Sequence, residues 1–256
     1  ANIHMTYYRT HNLPEDRDIQ FDFNFKAIPA FLQAMRRLGH SNWYAGLKYL
    51  YLDVEVKYVG KEILPPDLGK SDKYKTKVSV PGLIVELDSR DNIFTPDKGI
   101  KFHVDGQWSN DAFGSDYNYG RINYYAYLYK QISEKLVGGW RIDGQQVFDD
   151  APFFLLPFID MRGIPAMRYQ GRADILTEVE ARWDITTRWS LMFFGGTGKA
   201  FNEWENFGSA DWVYTYGTGF RYLLARKFKL RMGVDIAKGP PGSWGYYIIF
   251  GSSWLK

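Results

Sequence analysis

Polar and apolar side chains alternate with a period of two along most of the chain. In residues 228–236 the even-numbered positions are apolar, whereas the odd-numbered positions are charged or glycine. A period of two is typical of β-strands, because successive side chains point to opposite faces of a sheet. The pattern predicts an all-β protein. In residues 228–236, Val234 is expected to lie on the apolar face, and Asp235 on the polar face is expected to tolerate Asn.

Twelve segments are predicted as strands. They lie at 1–10, 18–38, 42–59, 76–90, 98–112, 117–133, 135–148, 172–184, 187–201, 211–226, 228–238 and 243–254. An even number of strands is typical of single-chain bacterial outer-membrane barrels. The second segment is ambiguous, because it contains Pro29 and its stretch AIPAFLQAMRRL is also compatible with a short helix.

Several of these segments are long and have aromatic residues at both ends of the apolar face. Trp212 and Tyr222 end one such face, and Trp244 and Trp254 end another. Aromatic residues at both ends are typical of strands that cross two membrane interfaces. A water-soluble sandwich, with the apolar face packed into a core, is the alternative. We expect a transmembrane antiparallel β-barrel of about 12 strands, a single domain over residues 1–256, in contact with the lipid bilayer of the bacterial outer membrane.

Composition and charge exclude several other classes of protein. Aromatic residues make up 18% of the chain, the formal net charge is only +3, and cysteine is absent. The small net charge does not indicate a nucleic-acid partner. The absence of cysteine excludes disulfides and thiolate metal sites. No apolar run reaches the roughly 18 residues that a membrane helix needs.

Residues 149–171 form a long irregular segment with three prolines. A barrel of about 12 strands is too wide for side chains alone to fill, so we expect this loop to fold into the lumen. An arginine held there would need a carboxylate, and the following strand has Glu178 and Glu180 on its inward face. A pair between Arg162 and one of these carboxylates is therefore one interpretation. A solvated loop is the other.

Two motifs resemble those of the bacterial surface antigen superfamily, which includes outer-membrane assembly factors of the BamA and TamA type. The first is DSRDNIFTPDKG, a strand–turn–strand signature whose characteristic residues are Asp88, Arg90, Asp91, Pro96 and Gly99. The second is Arg162-Gly163-Ile164, which resembles the Arg-Gly-aromatic motif of that family's lumen loop. Five predicted strands follow the second motif, as in the family. The resemblance implies that Glu180 is the main partner of Arg162, with Glu178 as a further partner.

The resemblance implies a barrel that inserts or exports proteins or lipids across the outer membrane. It also implies unfolded outer-membrane proteins or a periplasmic protein as partners. This chain differs from the family pattern in having about 12 strands instead of about sixteen and no periplasmic repeats. Gly196 stands where an Asp is usual, and Ile164 stands where an aromatic residue is usual. A plugged or gated small-solute channel, or a structural surface barrel, remains the alternative function.

Closure of the predicted barrel would pair its first strand, 1–10, with its last, 243–254. Gly245 and Gly251 lie on the inward face of the last strand, and Trp254 is expected at the end of its outward face. The glycines shield the backbone poorly, so pairing at this seam is expected to be weak. The resemblance implies that the seam acts as a gate.

No catalytic or metal-binding motif is recognisable. The sequence has no complete phosphate loop and no Gly-x-Ser-x-Gly elbow, and its four histidines do not have the spacing of metal ligands. The acidic residues of the 88–99 motif are better explained by a turn than by a metal site. We therefore expect no enzymatic activity, no cofactor and no metal.

Overall fold

The computed structural model describes residues 2–9, 19–59, 73–240 and 242–254. They form three short 3-10 helices and a set of β-strands, so the predicted all-β class is confirmed. The strands are β1 (Asn2–Arg9), β2 (Ile19–Arg37), β3 (Trp43–Tyr58), β4 (Lys73–Asp88), β5 (Gly99–Ser109), β6 (Tyr119–Ser133), β7 (Leu136–Asp149), β8 (Ala173–Asp184), β9 (Trp189–Phe201), β10 (Val213–Ala225), β11 (Leu230–Gly239) and β12 (Ser243–Phe250). The 3-10 helices are Asp111–Phe113, Phe153–Leu155 and Trp204–Phe207.

The strands form one sheet in which each strand pairs antiparallel with its neighbours in sequence. One end of the sheet carries the turns 38–42, 89–98, 134–135, 185–188 and 226–229, and we call it the short-turn end. The other, the long-loop end, carries the loops 110–118, 150–172 and 202–212. Within the described ranges, no helix has the length and apolar character needed to cross a membrane.

Residues 19–37 are strand throughout, so the helical interpretation of the second segment is wrong. The whole stretch from Phe23 to Arg37 is in register with β3. Pro29 fits because β1 pairs only with residues 19–26, which leaves residues 28–37 at an edge as far as the described chain extends. Proline is tolerated at a sheet edge because its missing N–H breaks no ladder there.

The two faces of the sheet differ as the alternation predicts. In β11, Arg231 and Asp235 are buried on the inward face, while Met232 and Ile236 are exposed on the outward face. The sheet is strongly curved, because Tyr129 on the inward face of β6 hydrogen-bonds Ser252, just after β12, at 2.8 Å. No ladder joins β1 to β12 among the described residues.

Two substitutions on the outward face of β11 test whether this face contacts lipid. An arginine at an outward position near the bilayer midplane is expected to cost roughly 2–4 kcal/mol. We expect Val234→Arg to lower the free energy of unfolding by that amount in a bilayer-folding titration. Lys238→Arg, at an outward position that is already charged, is the matched control. Equal stability of the two variants would contradict a lipid-facing β11.

Candidate functional site

The loop between β7 and β8 (residues 150–172) folds against the inward face of the sheet. Phe158 and Gln170 form a β-bridge that narrows the loop into a hairpin. At its base, the ring of Phe153 packs 4.8 Å from that of Phe23 on β2. At its tip, apolar side chains pack against β8 and β10, and this cluster contains Ile159, Met161, Ile164, Leu176 and Val213. Ile164, which replaces the expected aromatic residue, is thus buried in an apolar contact.

Arg162, at the tip of the loop, is held by carboxylates of two strands. Its guanidinium donates to Glu178 at 2.7 and 3.0 Å and to Asp235 at 2.7 Å. Glu180 lies further away, at 3.3 Å. The guanidinium also stacks on the ring of Phe194, 3.5 Å from its centroid. We call Arg162, Glu178, Glu180, Asp235 and Arg221 the arginine cluster.

Arg162 stays charged although it is buried. Burial lowers the pKa of its guanidinium, but the surrounding carboxylates, Glu178 first among them, raise that pKa above its ordinary value. Charge-assisted hydrogen bonds of this kind are about twice as strong as neutral ones. The structure therefore brings Arg162 against both sequence-predicted carboxylates, and Glu178, not Glu180, makes the shorter contacts.

Asp235 and Arg221 are the members of the cluster that sequence reasoning missed. Arg221 donates to Asp235 at 2.5 and 2.9 Å, and neither side chain is more than 2% exposed. The expectation that Asp235 tolerates Asn is therefore unsupported, because its carboxylate lies between two arginines. The register of β10 and β11 pairs Asp235 with Gly219 and so places Asp235 beside Arg221. This pairing is the feature from which their contact could have been found. A side chain at Gly219 would collide with the carboxylate.

Gly163 fixes the loop tip to β12 through its backbone. Its N–H donates to the Tyr247 hydroxyl at 2.7 Å, and its carbonyl accepts from the Ser243 hydroxyl at 2.8 Å. Gly163 has φ of +90°, a conformation that favours glycine. Gly245 makes room for this contact, since a Cβ there would lie 2.4 Å from the Tyr247 hydroxyl oxygen.

The absence of a side chain at Gly196 leaves space for the loop tip. A Cβ at this position would lie 3.0 Å from the sulfur of Met161 and 3.1 Å from Cβ of Glu178. The aspartate expected there from the resemblance would therefore displace the loop of this chain. Asp235 supplies the additional carboxylate for Arg162 from a different strand.

The position predicted for Trp254 is wrong. The strand ends at Phe250, and Gly251, with φ of +80°, turns the chain inward instead of continuing the outward row. Trp254 is 2% exposed and donates from its indole nitrogen to Glu178 at 2.8 Å. Its ring packs against the inward rings of Tyr127 and Tyr129. Sequence alternation could not reveal a glycine turn within an apparently continuous strand.

The DSRDNIFTPDKG motif forms the turn between β4 and β5. Within it, Arg90 makes two side-chain hydrogen bonds to Asp88, at 2.9 and 2.7 Å, and the Asp91 carboxylate accepts from two backbone N–H groups. The Pro96 carbonyl accepts a hydrogen bond from Arg182. Gly99 has φ of +113° where the chain enters β5. The carboxylates of this motif contact cationic side chains and backbone N–H groups of the protein. These contacts are those of a turn, as one interpretation of the sequence predicted.

The β4–β5 turn also crosses to the opposite side of the curved sheet. Asn92 donates to the carbonyl of Phe228 at 3.0 Å, and Lys229 contacts Asp97 at 2.7 Å. Arg182 of β8 forms a further ion pair with Asp97. Phe94 lies against Gly251, where an added Cβ would come within 2.7 Å of the Phe94 carbonyl oxygen. The turn thus covers the short-turn end of the interior, beside the C-terminal bend.

These ion pairs predict a pH dependence of the β4–β5 turn. Burial raises the pKa of the Asp97 carboxyl, but hydrogen bonds from Lys229 and Arg182 lower it more, so its pKa lies below the ordinary value. The contacts of the ionised Asp97 carboxylate with Lys229 and Arg182 thus stabilise the turn fully above the pKa of an unfolded-state aspartate, about 4. This stabilisation is lost as the pH falls through the lowered pKa of Asp97 in the folded protein. The pKa of Lys229 is raised, mainly by Asp97, so its contribution is lost only at strongly alkaline pH.

We expect amide exchange in residues 89–98, corrected for its intrinsic pH dependence, to be slow between pH 5 and pH 9 and to accelerate below about pH 4. Asp97→Asn should reduce the acid-induced change, and the remainder should come from the Asp88–Arg90 pair of the same turn. Loss of the contact with Lys229 should cost about 1 kcal/mol or less, because Lys229 is half exposed. Asp111→Asn, at the other end of the sheet, is the control. An unchanged acid response in Asp97→Asn would contradict this assignment.

Comparison with known proteins finds a similar fold among solved structures. No protein-family model and no curated protein matches the sequence. Among solved structures, the chain is similar to BamA from Haemophilus ducreyi lacking POTRA domains 1–3, with a TM-score of 0.64 and 12% sequence identity. The match covers 90% of this chain and 54% of that chain, so this chain spans about half the length of its structural relative. The resemblance to BamA-type barrels predicted from the two motifs is confirmed for the fold.

Proposed function

We propose that the protein is an outer-membrane β-barrel in which β12 closes against β1 and the free edge of β2. We further propose that it inserts or exports polypeptides or lipids at this seam, with the bilayer and unfolded outer-membrane proteins as its partners and without enzymatic activity. The similarity of fold to BamA supports the first part. The occupied interior supports the second, since the β7–β8 loop and residues 251–254 fill the space that a wide solute pore would need.

The observation that carries the proposal is the edge of β2. Residues 28–37 pair with β3, but the described part of β1 covers only residues 19–26. Leu32, on the outward face of this edge, is 69% exposed. In hydrocarbon every backbone polar group needs a partner, so an apolar edge of this length must pair with β12 or with an incoming strand. If the edge of β2 exchanges β12 for a strand of a substrate, the seam could template the folding of that substrate strand.

A reversible crosslink tests this function, because the chain has no cysteine of its own. The crosslink is a disulfide that joins β2 to β12, formed between Ile248→Cys on β12 and either Leu32→Cys or Ile28→Cys on β2. The protein is reconstituted in vesicles, and folding of a urea-unfolded outer-membrane barrel is followed by its heat-modifiable gel mobility. We expect the oxidised variant to fold substrate no faster than empty vesicles do, and reduction to restore the wild-type rate.

The matched control is a disulfide between Val234→Cys and Ile248→Cys, which are partners in the β11–β12 ladder. This crosslink joins strands that are already paired, so it should leave folding of the substrate unchanged. Full activity of the oxidised β2–β12 variant would contradict the proposed seam.

A gated small-solute channel is the second candidate function. A cavity of about 480 Å³ lies beside the loop tip, between Tyr127, Arg141, Arg162 and Tyr247. Its lining is polar enough to hold water, so displacement of the loop would open a path. Single-channel recordings in which the wild-type protein itself opens to the conductance level of Arg162→Ala would favour this candidate, because Arg162→Ala alone releases the loop under either function.

A further inference from the structure

Three exposed cations lie in two neighbouring turns at the short-turn end of the sheet. They are Arg188 in the β8–β9 turn and Arg226 and Lys227 in the β10–β11 turn. The turns are adjacent, because the N–H of Leu223 near the end of β10 donates to the carbonyl of Arg188 at 2.8 Å. Among the described residues, no carboxylate forms an ion pair with any of the three. We call these three residues the basic patch.

The outward face beside the basic patch carries no negative charge. None of the outward positions of β8–β12 is Asp or Glu, and neither turn of the patch contains an acidic residue. The outward lysines of β4 are in a different environment, because Lys75 and Lys77 pair in register with Glu55 and Asp53 of β3. The basic patch is therefore an uncompensated positive charge at the border of an apolar surface.

Aromatic rings hold two of these cations at the edge of the outward face. The guanidinium of Arg188 donates to the Tyr222 hydroxyl and lies 5.6 Å from the centroid of that ring. Tyr222 packs edge-on against Trp189, with 4.9 Å between the ring centroids. The ammonium nitrogen of Lys227 lies 5.8 Å from the ring centroid of Phe228. Outward aromatic rings next to lysine and arginine are typical of the membrane–water interface, where the rings meet acyl chains and the cations reach headgroups.

The charges that cover the end of the interior are already paired, unlike those of the basic patch. Asp97 contacts Arg182 and Lys229, and Asp184 contacts Arg182 at 3.1 Å and Arg231 at 3.3 Å. An acidic protein that capped the sheet along its axis would meet this neutralised surface. The basic patch borders the outward face instead, which favours an anionic lipid headgroup over an acidic protein.

We propose that the basic patch binds the phosphate of an anionic phospholipid, whose acyl chains lie along the outward rings of Trp189 and Phe220. The inference rests on the proposed membrane location, because only then does the bilayer supply the occupant. Short turns of outer-membrane barrels are periplasmic, so the occupant is a glycerophospholipid of the periplasmic leaflet, such as phosphatidylglycerol. Each cation near a membrane surface contributes about fivefold to the binding of anionic lipid.

Lipid competition measured by native mass spectrometry tests the basic patch. The protein in mixed micelles is given equal amounts of phosphatidylglycerol and phosphatidylcholine, and the bound lipids are identified by their mass. We expect phosphatidylglycerol to be retained about tenfold more than phosphatidylcholine. The triple variant Arg188→Gln, Arg226→Gln and Lys227→Gln should lose this preference. The exchange of Arg226→Lys with Lys227→Arg keeps the charge and should keep the preference.

A matched variant and a fluorescence measurement locate the bound lipid. Lys57→Gln, Lys75→Gln and Lys77→Gln together remove the same charge from outward positions at the long-loop end and should leave the preference unchanged. In vesicles, the difference between wild type and Trp189→Phe isolates the fluorescence of Trp189. We expect dibrominated phosphatidylglycerol to quench Trp189 at about tenfold lower fraction than dibrominated phosphatidylcholine, but only when the patch is intact. Heat-modifiable gel mobility establishes that each variant is folded.

The outcomes separate this inference from the proposed function. Absence of Trp189 quenching by either lipid would mean that the outward face does not contact the bilayer, and would overturn the membrane location itself. Equal quenching by the two lipids would overturn only the lipid site. Stronger retention of lipid A than of phosphatidylglycerol would place the patch in the other leaflet and overturn the periplasmic assignment. Displacement of phosphatidylglycerol by soluble poly-glutamate at equal charge would show that the patch accepts an acidic protein, and would also overturn the lipid site.

Discussion

Arg162→Ala should release the β7–β8 loop from the interior and lower the free energy of unfolding by roughly 3–5 kcal/mol. The substitution leaves the carboxylates of Glu178 and Asp235 with one cationic partner fewer, and both side chains are fully buried. Removing one member of a buried ionic group has a large effect because the remaining charge stays desolvated. Water that enters the interior after the loop leaves would reduce the effect. Limited proteolysis of residues 150–172 and a denaturant titration in vesicles measure the two consequences.

Substitution of each carboxylate separately shows which one contributes more to holding Arg162 and the loop. We expect Glu178→Gln to loosen the loop more than Glu180→Gln, because the shortest distances from Arg162 are 2.7 Å and 3.3 Å respectively. The double variant of Arg162→Ala and Glu178→Gln should be less than additive, with a coupling of about 0.5–3 kcal/mol. Arg226→Ala, in the exposed β10–β11 turn, is the matched control. Strict additivity would mean that the two side chains do not interact.

Most of the strand pattern could be predicted from the sequence because period two is a local property. Each predicted segment overlaps an observed strand, and β11 has its even-numbered residues outward as the alternation requires. The helix-compatible stretch after Phe25 was ambiguous because its apolar residues occupy both faces. It is resolved only by pairing with β3, which is a long-range contact. Tertiary pairing thus overrides local propensity here.

The arginine cluster could be predicted only in part, because its members come from separate elements. Arg162 and Glu178 were accessible to reasoning, since a buried arginine in a loop needs a carboxylate and the next strand has one facing inward. Asp235 and Arg221 lie on β11 and β10, and their approach to Arg162 depends on how far the sheet curves. Curvature accumulates from twist and register over many strands and leaves no mark in a single segment.

The C-terminal segment shows the same limit at one residue. Gly251 directly follows β12, where outward and inward side chains alternate. Nothing in this alternation shows whether the glycine continues the strand or forms a turn. Its position beside Phe94 leaves no space for a side chain, so the bend depends on the β4–β5 turn that packs against it. The bend moves Trp254 from the expected lipid interface into the interior. The segment that follows β12 is therefore held by interior contacts.

Trp254→Ala tests this arrangement and should cost roughly 3–5 kcal/mol, as for other buried aromatic residues. The substitution removes the packing on Tyr127 and Tyr129 and the hydrogen bond to Glu178. We expect it also to accelerate proteolysis of the β7–β8 loop, because Glu178 then loses a donor while it holds Arg162. A bilayer-folding titration with parallel loop proteolysis measures both effects.

Two further variants separate packing from hydrogen bonding. Trp254→Phe keeps most of the ring contact but leaves the Glu178 carboxylate without the indole donor, so about 1–3 kcal/mol should be lost. Trp244→Ala, on the outward face of β12 where the side chain is 59% exposed, should have a smaller effect and should not change proteolysis of the loop. If Trp254→Ala and Trp244→Ala were equally stable and left the loop equally protected, Trp254 would lie at the membrane interface, as the alternation alone had indicated.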